Sequence, residues 1–320
     1  MVTIIIPNYN GLQYLKDCLE ALMPQVLKPD RHVLVVDNGS TDGSVEFLRQ
    51  YPGIEMIFLE KNTGFCGAVN IGITKSRTRY VILLNNDTKV CPGYVQALVD
   101  SMERDSRLFS VSARMLMMQD PTRMDNAGDI YTALGYAKGR GIGRPASEYD
   151  RPADVFSACG GAAIYRRAVF DEIGLFDETH FAYLEDVDIG YRARIYGYRN
   201  AYCPEARVEH AGSGFSGSRY NAFKVSLASR NSVYLPWKNM PLLQLLLNLP
   251  LLLPGYAVKT VFFCRKGLGS QYVKGLFEGV KLCARRENRC HKVPFRWSRL
   301  MNYVKIQLRL WINLFYLLRE

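Results

Sequence analysis

Four short apolar runs, each closed by a polar turn, constrain this chain more than any other feature. Val2 to Pro7 (VTIIIP), His32 to Val36 (HVLVV), Glu55 to Leu59 and Tyr80 to Leu84 (YVILL) have the length and branched-residue content of strands and are mainly apolar. Helical patterns separate them. Leu12, Leu15, Leu19 and Leu22 recur at helical spacing, and Thr41-Asp42 can cap a short helix over Ser44 to Gln50. Gly64 to Lys75 is rich in small residues that allow backbones to approach. Pro92 to Arg104 adds a helix with Pro in its first turn, and Leu108 to Leu116 a fifth strand. This alternation predicts an α/β fold: a mainly parallel, doubly wound sheet with helices on both faces.

Polar clusters recur at the strand exits: Asn8 to Asn10, Asp37 to Ser40, Asn62 to Gly64 and Asn85 to Asp87. Parallel stacking would gather them at one sheet edge, where open α/β sheets bind ligands. Asp87 there is a hard oxygen ligand suited to Mg2+ or Mn2+ carrying a diphosphate. Asn85-Asn86-Asp87-Thr88 is also the composition of a plain turn that caps a helix.

The stretch from Gln119 to Pro152 is rich in Gly, Asp, Arg and Pro and reads as an irregular insertion or loose hairpin, a lid or acceptor-side loop. Val155 to Tyr165 resumes sheet-like character, with Gly160-Gly161 admitting close approach of a ligand. A short helix over Arg166 to Ile173 follows. The second polar focus is Phe181 to Arg192 (FAYLEDVDIGYR), which places Glu185, Asp186 and Asp188 at a helix start. Acidic residues suit a helix N-terminus. Three carboxylates in four residues also repel one another unless a cation or a shared proton intervenes. His210 leaves a short strand (ARVEH) for a Gly-Ser-Gly loop, a good setting for a metal ligand.

The net charge of +11 is uneven. After residue 235 the chain has 15 Lys and Arg against 3 Asp and Glu, so the tail carries the whole excess. That asymmetry points to an anionic partner, lipid or nucleic acid. No nucleic-acid motif supports the latter. Met240 to Val258 is uncharged, but Pro241, Pro250 and Pro254 break it and Gln244 and Asn248 weaken it, which favours an interfacial segment over a spanning one. Leu300 to Leu318 carries Leu308, Trp311, Ile312, Phe315 and Leu318 at helical spacing, with Lys305 and Arg309 nearby, as a helix lying in a membrane surface would. Packing of both segments on the rest of the chain is the alternative. The eight cysteines lack CxxC pairing, which suggests free, mostly buried thiols in a reducing cytosol. Val2 opens a strand at once, with no signal-like region before it. No GxSxG, P-loop or GxGxxG after the first strand is present, which argues against hydrolase, NTPase and dinucleotide readings.

Taken in order, TIIIPNYNG, VLVVDNGSTDGS, NTGFCGAVNIGI, YVILLNNDTKVCPG, GGAAIYRR, IGLFDETHFAYLEDVDIGYR and GYRNAYCPEARVEHAGSG resemble a family-2 glycosyltransferase of the GT-A fold. The variant motifs most resemble the rhamnosyltransferase-like branch, which builds bacterial surface polysaccharides. The resemblance implies a catalytic domain over 1–235, with a nucleotide-sugar half to about 118 and an acceptor half over 119–235, and a helical membrane-associating region over 236–320. It implies that Pro7, Asn8, Tyr9 and Asp37 hold the nucleotide, Asp37 accepting from the pyrimidine ring, with Gly67 and Asn70 beside it. Asn85 and Asn86 stand in the earlier part of the usual Asp-x-Asp motif, and the first acid is thus replaced. Asp87 and His210 would bind Mg2+ or Mn2+, Asp186 would be the base and Glu185 would orient acceptor hydroxyls. Asp188 and Arg192 would stand behind them, out of contact with substrate. The implied reaction is inverting transfer from a dTDP- or UDP-linked sugar, L-rhamnose first, to a polyprenyl-linked glycan. The implied place is the cytoplasmic face of the inner membrane, held by anionic lipid. A noncatalytic glycan- or nucleotide-binding scaffold is the alternative from another class.

Overall fold

The computed structural model describes residues 1–212 and 220–319, leaving aside the side chains of 318 and 319. The Gly-Ser-Gly loop expected after His210 and the Leu318 side chain therefore lie largely outside the described residues. The first half alternates as the apolar runs predict: β1 (Val2–Asn8), α1 (Leu12–Leu22), β2 (Arg31–Asp37), α2 (Ser44–Gln50), β3 (Glu55–Phe58), α3 (Gly64–Lys75) and β4 (Tyr80–Leu84). β1 pairs in parallel with β2 and β4, and β2 with β3. Continuous apolar strands imply cover on both faces, and the core is split accordingly. Ile4, Ile6, Ile82 and Leu84 pack with Leu15 and Leu19 of α1 and with Val95 and Leu98 of α4 (Tyr94–Glu103). Ile5, Val81 and Leu83 face the other way, onto Val69 and Ile73 of α3 and Ile189 of α6 (Glu185–Ile195).

The second half makes the sheet mixed. It supplies β5 (Thr88–Val90), β6 (Leu108–Met117), β7 (Asp120–Asn126), β8 (Asp129–Tyr131), β9 (Ala137–Gly139), β10 (Ala153–Val155), β11 (Ala162–Arg166), the short helix α5 (Val169–Ile173) and β12 (Arg199–His210). The sheet runs β10-β12-β6-β11-β4-β1-β2-β3, with β11 antiparallel to both of its neighbours. The stretch expected to be irregular is built: β7 pairs with β6 and β8 forms a hairpin with β9. The sheet-like run expected over Val155 to Tyr165 is two separate strands, and residues 156–161 between them cross the sheet edge.

Four helices follow: α7 (Ala222–Asn239), α8 (Leu242–Arg265), α9 (Gly269–Ala284) and α10 (Leu300–Arg319). The division expected at 235/236 falls inside α7, because the last turn of that helix supplies Lys238 and Asn239 to the buried Asp188. Of the prolines expected to break Met240 to Val258, Pro241 does separate α7 from α8, while Pro250 and Pro254 sit within α8, one turn apart on its exposed side. Gln244 and Asn248 are buried rather than facing solvent. Gln307 of α10 accepts from both, at 3.1 and 2.7 Å, and the Tyr191 hydroxyl of α6 donates to Gln244. The expectation that these segments pack on the rest of the chain is met on one face of α8 and α10. Elsewhere Leu243 of α8 and Trp297, just before α10, are each 80% exposed.

Candidate active site

Four strand exits and two later loops meet in one cleft of about 370 Å³ at the carboxyl edge of β1 to β4. Pro7, Asn8 and Tyr9 leave β1, Asn38 leaves β2, Asn62 and Gly64 follow β3, and Asn85, Asn86 and Asp87 leave β4. Gly160, Gly161, Tyr183, Glu185, Asp186 and His210 close it from the other half. The spatial convergence of Asp87 with Asp186, far apart in sequence, is thus met.

A ladder of amides forms the floor at the exits of β1, β2 and β4. Asn86 donates to Asn8 Oδ1 (2.6 Å), and Asn8 Nδ2 donates to Asp37 Oδ2 (2.8 Å). Asp37 is wholly buried, and its other oxygen accepts from the Ser40 amide. It therefore acts through Asn8 and is not itself presented to the cleft, contrary to its expected contact with a base. Asn38, which the sequence reading passed over, lines the cleft and accepts from the Thr63 amide (2.9 Å). Gly67 and Asn70 also stand apart from the cleft. Gly67 packs under Thr63, and Asn70 clamps Phe176 by donating to its carbonyl and accepting from its amide. Gly64 is required twice over: its φ is +78°, and a Cβ would lie 2.5 Å from the Phe181 carbonyl.

Asp87 is buried, and its Oδ1 has no aligned hydrogen-bond donor although His210 Nε2 lies 3.3 Å away. His210 Nδ1 faces Asp125 Oδ2 at 2.8 Å. Burial works against the imidazolium, but Asp125 and Asp87 outweigh it and push the His210 pKa up to about 10. A carboxylate oxygen without a partner beside an imidazole oriented by a second carboxylate is the donor set a hard divalent ion fits, with Asp125 fixing the ring. Asp125 was not foreseen. A second group, Asp129, Cys159 and Asp186, has ligand atoms within 4.8 Å of one another. Burial pushes its thiol well up, so it suits Mg2+ or Mn2+ poorly. Among the described residues Cys283, Cys290 and His291 form no metal cluster. The thiols are all free, three of them buried; Cys264, placed by sequence in an apolar run, is exposed.

Asp186 and Glu185 open α6. Asp186 accepts from the Val187 amide (2.7 Å), while Glu185 Oε2 is buried without a partner. Burial pushes both carboxyls upward. The preceding segment is strained: Phe181, Tyr183 and Leu184 have φ of 63°, 68° and 68°. Asn231 of α7 holds it by reaching the carbonyls of His180, Ala182 and Tyr183 at 2.8–3.0 Å. Behind the site Asp188 is fully buried. Arg192, Lys238 and Asn239 bond to it at 2.7–3.0 Å, and the two cations hold its carboxyl far below the usual range against burial. Asp188 and Arg192 are thus out of reach of the cleft, as expected.

The profile of glycosyl transferase family 2 matches residues 3–174, more than half of the chain. The chain belongs to that family. The N-acetylglucosaminyl-diphospho-decaprenol L-rhamnosyltransferase of Mycobacterium tuberculosis (strain ATCC 25618 / H37Rv) is 28% identical over 236 residues, 66% of this chain and 76% of that protein. The O-antigen chain rhamnosyltransferase RfbN of Salmonella typhimurium (strain LT2) is 27% identical over 216 residues, 66% of each. Among solved structures, the mannosyltransferase PcManGT from Pyrobaculum calidifontis in complex with GDP-Man and Mn2+ shares 17% identity at TM-score 0.54, over 96% of this chain and 86% of that one. GalNAc-T7 with UDP, GalNAc and Mn2+ shares 17% identity at TM-score 0.59, over 74% and 48%. These likenesses fix the GT-A architecture. The family-2 member described here is a glycosyltransferase with rhamnosyltransferases of polysaccharide assembly among its relatives.

Proposed function

We propose that this glycosyltransferase moves a sugar, L-rhamnose first, from a dTDP- or UDP-linked donor to a polyprenyl-linked glycan, with inversion. The observation that carries the reading is the single cleft in which Asp87 and His210 face Asp186. Asn8, Tyr9 and Asn38 receive the nucleoside. Asp87 and His210 hold Mg2+ or Mn2+, which when bound neutralises the departing diphosphate. Asp186 takes the proton of the acceptor hydroxyl as its oxygen attacks the anomeric carbon, and Glu185 orients that hydroxyl. One base and no covalent nucleophile give inversion.

The polyprenyl acceptor is supported by the name of the M. tuberculosis relative. The exposed faces of α8 and α10 support a seat on the cytoplasmic membrane leaflet. Leu242, Leu243 and Leu247 of α8 and Leu300, Leu308 and Trp311 of α10 flank an apolar groove of about 570 Å³. The excess of basic residues beyond residue 235 suits anionic headgroups. α8 is long and apolar enough to cross a membrane. Its buried Gln244 and Asn248 favour lying flat instead.

Thermal stabilisation by a panel of dTDP- and UDP-sugars with Mn2+, followed by turnover of the best donor, tests the reading. Asp186→Asn keeps the stabilisation and loses turnover by more than about a hundredfold. Turnover that survives in Asp186→Asn removes the base assignment, and stabilisation indifferent to Mn2+ removes the metal. Flotation with phosphatidylglycerol vesicles tests the membrane seat; protein that stays in the soluble fraction at low salt rejects it.

A further inference from the structure

Asp186 has a partner outside the helix that carries it. Asp129 opens β8 and is buried, and a carboxyl oxygen of it lies within 4.8 Å of one of Asp186. The surroundings of the two differ. Asp186 sits in the first turn of α6, where the exposed N–H groups favour an anion, and accepts from the amides of Val187 and Gly160. Asp129 has no helix end. Asn126 donates to its Oδ1 (3.1 Å) and the Ser157 hydroxyl to its Oδ2 (3.2 Å). The segment is braced: the Asp129 amide donates to the Ser157 carbonyl at 2.9 Å, and Gly190 lets α6 approach so closely that a Cβ would lie 2.4 Å from that of Ser157.

Among the described residues, the titratable groups beside the pair are Glu185, on the same helix as Asp186, and Cys159 and Tyr165 from adjoining segments. Asp129 is buried and Asp186 half-buried, and two carboxylates this close disfavour double ionisation, so the pair keeps one proton.

We propose that Asp129 is a positioning residue that carries the one proton of this carboxyl pair and donates it to Asp186, leaving Asp186 as the ionised member aimed at the acceptor. The inference rests on the reading of Asp186 as the base. During transfer the acceptor hydroxyl proton passes to the free oxygen of Asp186, the hydroxyl oxygen bonds to the anomeric carbon, and the diphosphate leaves with the electron pair of the broken bond. Asp129 keeps its own proton throughout, and Asp186 releases the new one to solvent with product.

The test compares full-length Asp129→Asn, Asp129→Ala and Asp186→Asn by initial rates of nucleoside diphosphate release from dTDP-rhamnose and UDP-sugars with Mn2+. Asparagine is isosteric and still donates, so Asp129→Asn retains kcat within about threefold. Asp129→Ala loses the donor, and kcat falls at least about tenfold with the donor KM unchanged. Asp129→Asn as inactive as the Asp186 variant overturns the proposal, since Asp129 would then be the ionised member. Asp129→Ala as active as the parent overturns it equally. Stabilisation by UDP or dTDP with Mn2+ controls for folding. Turnover in Asp186→Asn would sink the base reading itself, a distinct result.

Discussion

Lys238 offers the sharpest test of how the catalytic helix is held. Its ammonium, buried in the last turn of α7, donates to Asp177 (2.7 Å) and Asp188 (2.9 Å). Lys238→Met keeps the stem and removes the charge. Asp188 retains Arg192 and Asn239, so the loss falls mainly on Asp177, left with the Tyr234 hydroxyl, the Thr179 amide and the His291 imidazole 3.5 Å away. Removing one member of a buried ion pair costs about 3–5 kcal/mol, and the residual donors place this case near about 3. With about 2.1 cal/mol/K of unfolding entropy per residue, that lowers Tm by roughly 4–5 °C for a chain of this length. The sign with pH is fixed as well. Lys238 holds the Asp177 pKa below its ordinary 3.8 in spite of burial, so the pair's contribution is complete above that value and fades as pH falls through it. In the variant, burial is opposed only by the weaker remaining donors, and Asp177 is destabilising until protonated. The gap between parent and variant is therefore widest at pH 7 and narrows toward pH 4. Differential scanning fluorimetry at both values reads it. An equal Tm gap at pH 7 and pH 4, or one under about 1 °C at pH 7, refutes the reasoning.

Three further outcomes follow from the same geometry. Burial lowers the fully buried His180 from 6.5 to about 4, against the pull of Asp188. The unfolded chain thus binds the extra proton first, and about 3 kcal/mol of stability disappears as pH falls from 6.5 to 4; His180→Phe flattens that limb in urea titrations at stepped pH. Asn231→Ala releases the strained carbonyls before Glu185, with a loss of about 2 kcal/mol and a fall in kcat at unchanged donor KM, read by denaturation and steady-state kinetics. Asp87→Asn leaves the fold intact and abolishes the Mn2+-dependent part of nucleotide stabilisation, measured by thermal shift with and without the ion.

What the sequence revealed and what it hid divide along a physical line. Strands β1, β2 and β4 were legible because a parallel strand covered on both faces is apolar along most of its length, so each run ends sharply where the polar edge begins. That same sharpness located Asn8 and Asp87, whereas Asp186 stood out as one of three carboxylates at a helix start. It could not tell which exit residues face the cleft, because neighbours along an extended chain point opposite ways. Asp37 turns into the protein and Asn38 into the cleft, yet both belong to one polar cluster. Asp125 and Asp129 were hidden differently. They lie in a stretch with no period, and their partners, His210 and Asp186, are distant in sequence, so only the pairing of β7 with β6 and the bridge from Asp129 to Ser157 brings them to the site. α7 is the extreme case. Its Asn231, Lys238 and Asn239 are polar, and a helix packed on a core is expected to turn such groups to water. Here they turn inward, because the segment they meet has left-handed turns with unsatisfied carbonyls and two buried carboxylates. Those demands exist only once the chain has folded. A buried polar residue in a helix is thus best read as a question about which other element lacks a partner.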